Sequence, residues 1–109
     1  MKQGLKLLLP VTFDGVAVAD ISKIEFVFTQ EKYPSSPILK TSLFGGSGGD
    51  VTENDGVFYV PWTVDETYAF RADAPFYMDT RITLTESPYQ PPTNIVKLTM
   101  NPTLFKQED

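Results

Sequence analysis

From Ser22 to Gln30 apolar and polar side chains alternate, and this run constrains the fold more than any other stretch of the chain. Successive side chains of a strand point to opposite faces, so Ile24, Phe26 and Phe28 face a core while Lys23, Glu25 and Thr29 face outward. Further short runs follow the same logic, each cut off by turn residues. Leu5 to Phe13 is apolar and ends at Asp14-Gly15. Tyr33-Pro34-Ser35-Ser36-Pro37 breaks the run after Gln30, because proline fixes φ and lacks an N–H. Ile38 to Phe44 reads as a weaker strand, and GGSGGD (45–50) as a flexible loop. Val51 to Glu53 is a short edge strand, with Asn54-Asp55-Gly56 supplying the positive φ of a tight hairpin turn. Val57 to Trp62 then sets Phe58, Val60 and Trp62 on one face and Val57 and Tyr59 on the other. Pro61 removes a ladder donor, which puts this strand at a sheet edge or ends it there.

The sequence next changes period. Thr63-Val64-Asp65-Glu66 has the spacing of a capping box, in which the Thr63 side chain accepts from the Glu66 N–H and the Glu66 carboxylate accepts from Thr63. Asp65 suits the positive end of the helix dipole. Two turns on, Phe70 is placed to plug the bottom of a sandwich. After Ala74-Pro75, the strand Phe76 to Thr85 carries Met78, Thr80, Ile82 and Leu84 on one face. Ser87 to Pro92 is a stiff proline loop, and Asn94 to Met100 is the last strand, with Val96, Leu98 and Met100 inward. Asn101-Pro102 ends it and opens a tail over 102–109. Turns every eight to twelve residues predict one all-β domain over 1–109. The expected architecture is an immunoglobulin-like antiparallel β-sandwich of about seven strands, with a short helical turn near 63–70.

Composition narrows the chemistry. Nine basic residues against fourteen acidic ones give a net charge of -5. The basic residues form no patch, which disfavours nucleic acid and anionic membrane surfaces as partners. The apolar stretch LKLLLPV is too short for a signal-peptide core or a membrane helix, so the expectation is a soluble chain made in the cytosol. The sequence has no cysteine and no histidine. That excludes thiol nucleophiles, zinc-thiolate sites, Ser-His-Asp triads and histidine-ligated metals.

The remaining candidate sites weigh differently. GGSGGD lacks the Gly-Lys-Ser/Thr ending of a phosphate-binding loop. Asp50, Glu53, Asn54 and Asp55 offer oxygen ligands to calcium, but without EF-hand spacing and at positions where turns favour Asp and Asn anyway. Tyr59, Trp62, Tyr77 and Tyr89 suggest a sugar-stacking platform, although aromatic residues also fill sandwich cores and Trp62 falls on the core-facing phase. Tyr77 is out of phase with Met78 and Ile82, so it faces outward, with Tyr89 as a neighbour on this reading. Asp65, Asp79 and Glu86 form no pair with the spacing of a glycosidase. No catalytic residue, cofactor or metal site is assigned. The candidate interaction surface comprises Leu5, Leu7, Leu9, Tyr77, Tyr89, Leu104 and Phe105, since leucines on both faces of the first strand exceed the need of a half-buried strand. Thr63 and Glu66 are assigned to capping.

Three segments carry a resemblance. They are ISKIEFVFTQ (21–30), VTENDGVFYVPWTVDETYAF (51–70) and TNIVKLTMNPTLF (93–105). Together they resemble a family of small prophage proteins of Gram-positive bacteria, similar to the N-terminal β-sandwich domain of phage baseplate upper proteins. The second segment is similar to a family turn, strand and Leu-Thr-x-Glu-Glu-Thr-x-x-Phe helical turn, with Trp62-Thr63 where Leu-Thr is usual. The resemblance implies a virion structural protein of the tail or baseplate with no enzymatic role. Its partners would be other phage structural proteins or copies of itself. A module that binds carbohydrate or adheres to the host surface is the alternative.

Overall fold

The computed structural model describes residues 1–31 and 36–104, so Phe105 and most of the proline break at 33–37 lie outside the described residues. Among the described residues seven strands form: β1 (Leu7–Val11), β2 (Ile21–Thr29), β3 (Ile38–Phe44), β4 (Thr52–Asn54), β5 (Val57–Trp62), β6 (Ala74–Leu84) and β7 (Val96–Met100). One short helix, α1 (Val64–Tyr68), follows β5, and a 3-10 turn (Val18–Asp20) leads into β2. A three-stranded sheet in the order β1-β5-β4 faces a four-stranded sheet in the order β3-β2-β6-β7, and every strand pairing is antiparallel. The expected all-β sandwich is therefore present. Its strand order has a feature of its own, however. In the constant-type immunoglobulin arrangement the second strand sits with the fifth, whereas here β2 lies between β3 and β6.

The core is what the alternation predicts. Ile24, Phe26 and Phe28 from β2, Phe58, Val60 and Trp62 from β5, and Phe76, Met78 and Ile82 from β6 are buried. Rings link the two sheets edge to face, with Phe28 and Trp62 centroids 4.9 Å apart and Phe44 and Phe58 also 4.9 Å apart. Such geometry aligns ring edges with ring faces and adds to the stabilisation from area burial.

The prolines follow from the register. Leu8 stands opposite Pro61 and Pro10 opposite Tyr59. In an antiparallel ladder, only alternate pairs exchange hydrogen bonds. With Leu7–Trp62, Leu9–Val60 and Val11–Phe58 as the bonded pairs, the missing N–H groups of Pro10 and Pro61 point away from the partner strand. This corrects the reading of β5 as an edge strand. It is the central strand, and it accommodates Pro61 because β4 reaches only from Val57 to Tyr59. The strand ends one residue later, as Pro61 suggested.

The turn from β4 to β5 has Asp55 at φ 56° and Gly56 at φ 82°, the two positive values of a type I′ turn. The loop after β3 is more closely tied than its glycines suggest. The Asp50 carboxylate accepts from the Leu43 N–H at 2.8 Å and from the Ser42 hydroxyl at 3.0 Å. The Asp50 and Val51 N–H groups both donate to the Leu43 carbonyl. At Gly45, with φ +80°, a Cβ would stand 2.3 Å from the Ser22 carbonyl oxygen. Glycine there permits a close backbone approach as well as a turn.

Candidate functional site

Thr63 caps α1 as its sequence requires. Its side chain accepts from the Glu66 N–H at 3.2 Å, and Glu66 Oε1 accepts from the Thr63 N–H at 2.8 Å. The helix is shorter than two turns, however. Ala69 is its C-cap, so Phe70 lies beyond the helix, yet Phe70 still closes the base of the core against Trp62 and Phe76. Buried Thr67 ties the helix to the start of the chain, accepting from the Gly4 N–H and donating to the Val64 carbonyl.

The second Glu66 oxygen was not anticipated. Oε2 lies 2.8 Å from the Lys40 ammonium, and the Lys40 side chain is only 2% exposed. The ammonium also sits 5.0 Å from the Trp62 ring centroid, within cation–π range. Partial burial pushes the Glu66 carboxyl up. The Lys40 ammonium and the Thr63 N–H outweigh that and hold it below its usual range. One carboxylate thus caps a helix and neutralises a buried cation, so the tract from Trp62 to Glu66 has a structural task for each of its polar ends. Trp62 itself is 1% exposed, which places it in the core and removes it from any sugar-stacking surface.

The outward residues divide by face. On the four-stranded sheet, Arg81 donates to Glu25 through two nitrogens at 2.7 and 3.1 Å, and Lys23 approaches Glu25 at 3.3 Å. The Arg81 fork holds the Glu25 carboxyl below its usual range. The next outer row pairs Val27 with Asp79, and Thr29, Tyr77 and Lys97 form the row after it. On the three-stranded sheet the outer rows are Leu8–Pro61, Pro10–Tyr59–Thr52 and Val57–Asn54. Leu8 is 57% exposed. The first strand therefore sorts its leucines: Leu7 and Leu9 pack against the core, while Leu5 and Leu8 face outward. This corrects the assignment of Leu7 and Leu9 to an interaction surface, since their phase is the one that meets Trp62 and Val60 in register.

Of the other candidates, Tyr89 and Leu104 are highly exposed, and Tyr77 is half-buried on β6. The ring contacts among the described residues join core aromatics and include neither Tyr77 nor Tyr89. Asp65, Asp79 and Glu86 are exposed on or after three different elements. Asp79 accepts from the Thr80 N–H, and Glu86 borders a shallow hollow with Asp20. Asp50 is engaged in its loop, and Glu53 accepts from the Gly56 N–H. Among the described residues no group of three or more acidic side chains is arranged to hold a metal ion. A groove of about 290 Å³ opens between Val11, Phe13 and Val16 on one side and Met78, Ile82 and Val96 on the other.

No family model, curated protein or solved structure matches the chain.

Proposed function

We propose that this chain is a non-enzymatic structural component of a phage or prophage virion, associated with the tail or baseplate and made in the bacterial host cytoplasm. It acts by packing against other structural proteins or copies of itself. The carrying observation is the contrast between its two outer faces. An antiparallel sheet with one solvated face alternates apolar and polar residues, and β2 and β6 at the centre of the four-stranded sheet largely do so, with Glu25, Asp79 and Arg81 outward. Its exposed apolar residues lie at the margins, Ile38 and Leu39 at the start of β3 and Ile95 and Val96 at the start of β7. The three-stranded sheet instead presents Leu8, Pro10, Val57, Tyr59 and Pro61 outward, between the polar ends Thr52 and Asn54. An apolar sheet face of this kind is a packing surface.

Size decides the kind of packing. Three strands of about five residues give a footprint of a few hundred Å², against about 800 Å² per partner in a standard stable complex. Such a face does not hold an isolated dimer. It contributes one contact to an assembly in which many copies or several partners act together. The purified chain is therefore expected to be monomeric at micromolar concentration. The resemblance of residues 21–30, 51–70 and 93–105 to prophage structural proteins supplies the particle in which such contacts would be made.

The test is to purify phage particles from the producing strain and probe them with an antibody to this chain. Its presence in intact particles, reduced when Leu8 is changed to Lys, is the expected result. Absence from intact particles overturns the reading.

A further inference from the structure

The four-stranded sheet ends at β7, and one half of that edge is already taken. The Met1 amino group donates to the Thr99 carbonyl, the Asn101 N–H donates to the Met1 carbonyl, and the Gln3 N–H donates to the Asn101 carbonyl. Lys2 and Asn101 form a parallel bridge. The chain's first residues thus run beside the end of β7 through one isolated parallel bridge. These bonds also fix the direction of the backbone groups. Thr99 and Asn101 point to the open side, so by alternation Lys97 does too, while Val96, Leu98 and Met100 pair with Met78, Phe76 and Ala74 of β6. Among the described residues no strand pairs with this edge before Thr99.

The open half has a defined chemistry. Ile95 and Val96 are 45% and 40% exposed, so both faces of the strand's start carry uncovered apolar surface. Val96 also borders the apolar groove formed with Val11 and Phe13. Lys97 is the charge on this stretch, and no carboxylate among the described residues pairs with it. Its row neighbours on the outer face are Tyr77 and Thr29, while Asp79 lies one register step further, across the sheet from Val27. Lys2 adds a second positive charge at the far end of the edge. This edge is positive in a chain whose net charge is -5.

We propose that the open half of the β7 edge is a strand-docking site for an extended partner segment that places a carboxylate opposite Lys97 and apolar side chains over Val96 and Leu98. The same lysine disfavours one pairing with a second copy of the chain. Two copies paired antiparallel with Lys97 at the centre of the pairing would oppose Lys97 to Lys97, and like charges directly opposite destabilise a cross-strand pair. Edge lysines are a known protection against self-pairing, and here the protection doubles as selectivity for an acidic strand. This inference uses a different surface from the packing face around Leu8 and does not depend on the virion reading.

The test uses two blocked seven-residue peptides that alternate valine and threonine, one with a central glutamate and one with a central lysine. Amide shifts and hydrogen exchange of the labelled chain are followed at Ile95, Lys97 and Thr99. The glutamate peptide is expected to shift and protect these amides and to bind about three- to tenfold more tightly than the lysine peptide. The preference reverses in Lys97→Glu. In Lys97→Thr the two peptides are expected to bind with equal affinity. Equal affinity of the parent chain for the two peptides, shifts centred on β1, β3 or β4, or no shift at millimolar peptide overturns the docking site.

Discussion

Lys40 and Glu66 form an ion pair whose two ends differ sharply in burial, and that asymmetry makes a prediction. The Lys40 side chain is 2% exposed and Glu66 is 34% exposed, with 2.8 Å between ammonium and carboxylate. Removing either partner leaves the other without its counter-ion, but the consequences are unequal. In Lys40→Met the stem volume is retained, and the Glu66 carboxylate meets water while still accepting from Thr63. The loss is then the pair itself and the cation–π contact with Trp62, about 1–2 kcal/mol. In Glu66→Gln the cap survives, because glutamine serves a capping box as well as glutamate does. The buried ammonium, however, loses its counter-charge inside the sandwich, and breaking a buried pair from this side costs about 3–5 kcal/mol. The double variant removes the stranded charge and should lie closer to Lys40→Met than to Glu66→Gln. The coupling energy is then about 3 kcal/mol. Urea unfolding followed by the fluorescence of Trp62, the single tryptophan and itself in the core, measures all four corners of the cycle. If Glu66→Gln proves milder than Lys40→Met, or if the two changes are additive, the buried-cation reasoning fails.

Three further outcomes follow from the geometry. Gly45→Ala should destabilise by about 2–4 kcal/mol, since its Cβ would meet the Ser22 carbonyl at 2.3 Å; Gly46→Ala, at φ +72° with open space around it, should cost about 1 kcal/mol, and thermal unfolding separates the two. Glu66 and Glu25 both have folded carboxyls held below the ordinary value of 4.5. Their contribution is therefore complete above that pH and is lost as pH falls through the lowered values. A urea midpoint that is flat from pH 7 to 5 and drops below about 4.5 is expected, with a shallower drop in Lys40→Met. Asp50→Ala removes acceptors from the Ser42 hydroxyl and the Leu43 N–H; a loss of about 1–2 kcal/mol and faster exchange of the Leu43 amide are expected.

Much of the fold was legible because period-2 alternation and turn chemistry are local. The phases of Ile24-Phe26-Phe28 and Phe58-Val60-Trp62, the Asn54-Asp55-Gly56 turn and the Thr63–Glu66 cap each depend on residues within a few positions of one another. What escaped depends on distant pairing. Lys40 and Ser42 occupy core-facing positions of β3 because Phe44, respectively four and two residues on, is paired with Ile24 and packs on Phe58. A lysine in a weak strand reads as solvated; its inward placement is tolerable only because Glu66, twenty-six residues away, reaches it. The signal that was available was the phase of Phe44, which commits every second residue before it to the same face. In β1, leucines on both faces gave no phase at all, and only the register Leu7–Trp62 and Leu9–Val60 separates core from surface. The central place of β5 was hidden for the same reason: Pro61 reports a missing donor, not which neighbour would have received it.

The cluster around Trp62 and the outer faces of the sheets bear on function in opposite ways. A carboxylate engaged by Lys40 and Thr63 at once is poorly placed for acid–base chemistry, because protonating it opens a helix cap and strands a buried cation together. Chemistry at that tract would act against the stability of the fold. The outer surfaces carry no such obligation. The Glu25–Arg81 pairing suits the middle of one sheet to water, whereas on the other Leu8, Pro10, Tyr59 and Pro61 turn outward, where the proposed packing would cover them. Changing Leu8 to Lys should then leave the urea midpoint of the isolated chain within about 0.5 kcal/mol of its parent, while lowering incorporation into particles. A Leu8→Lys chain that unfolds much more readily would show instead that this leucine stabilises its own domain, and the argument from the apolar face would fall with it.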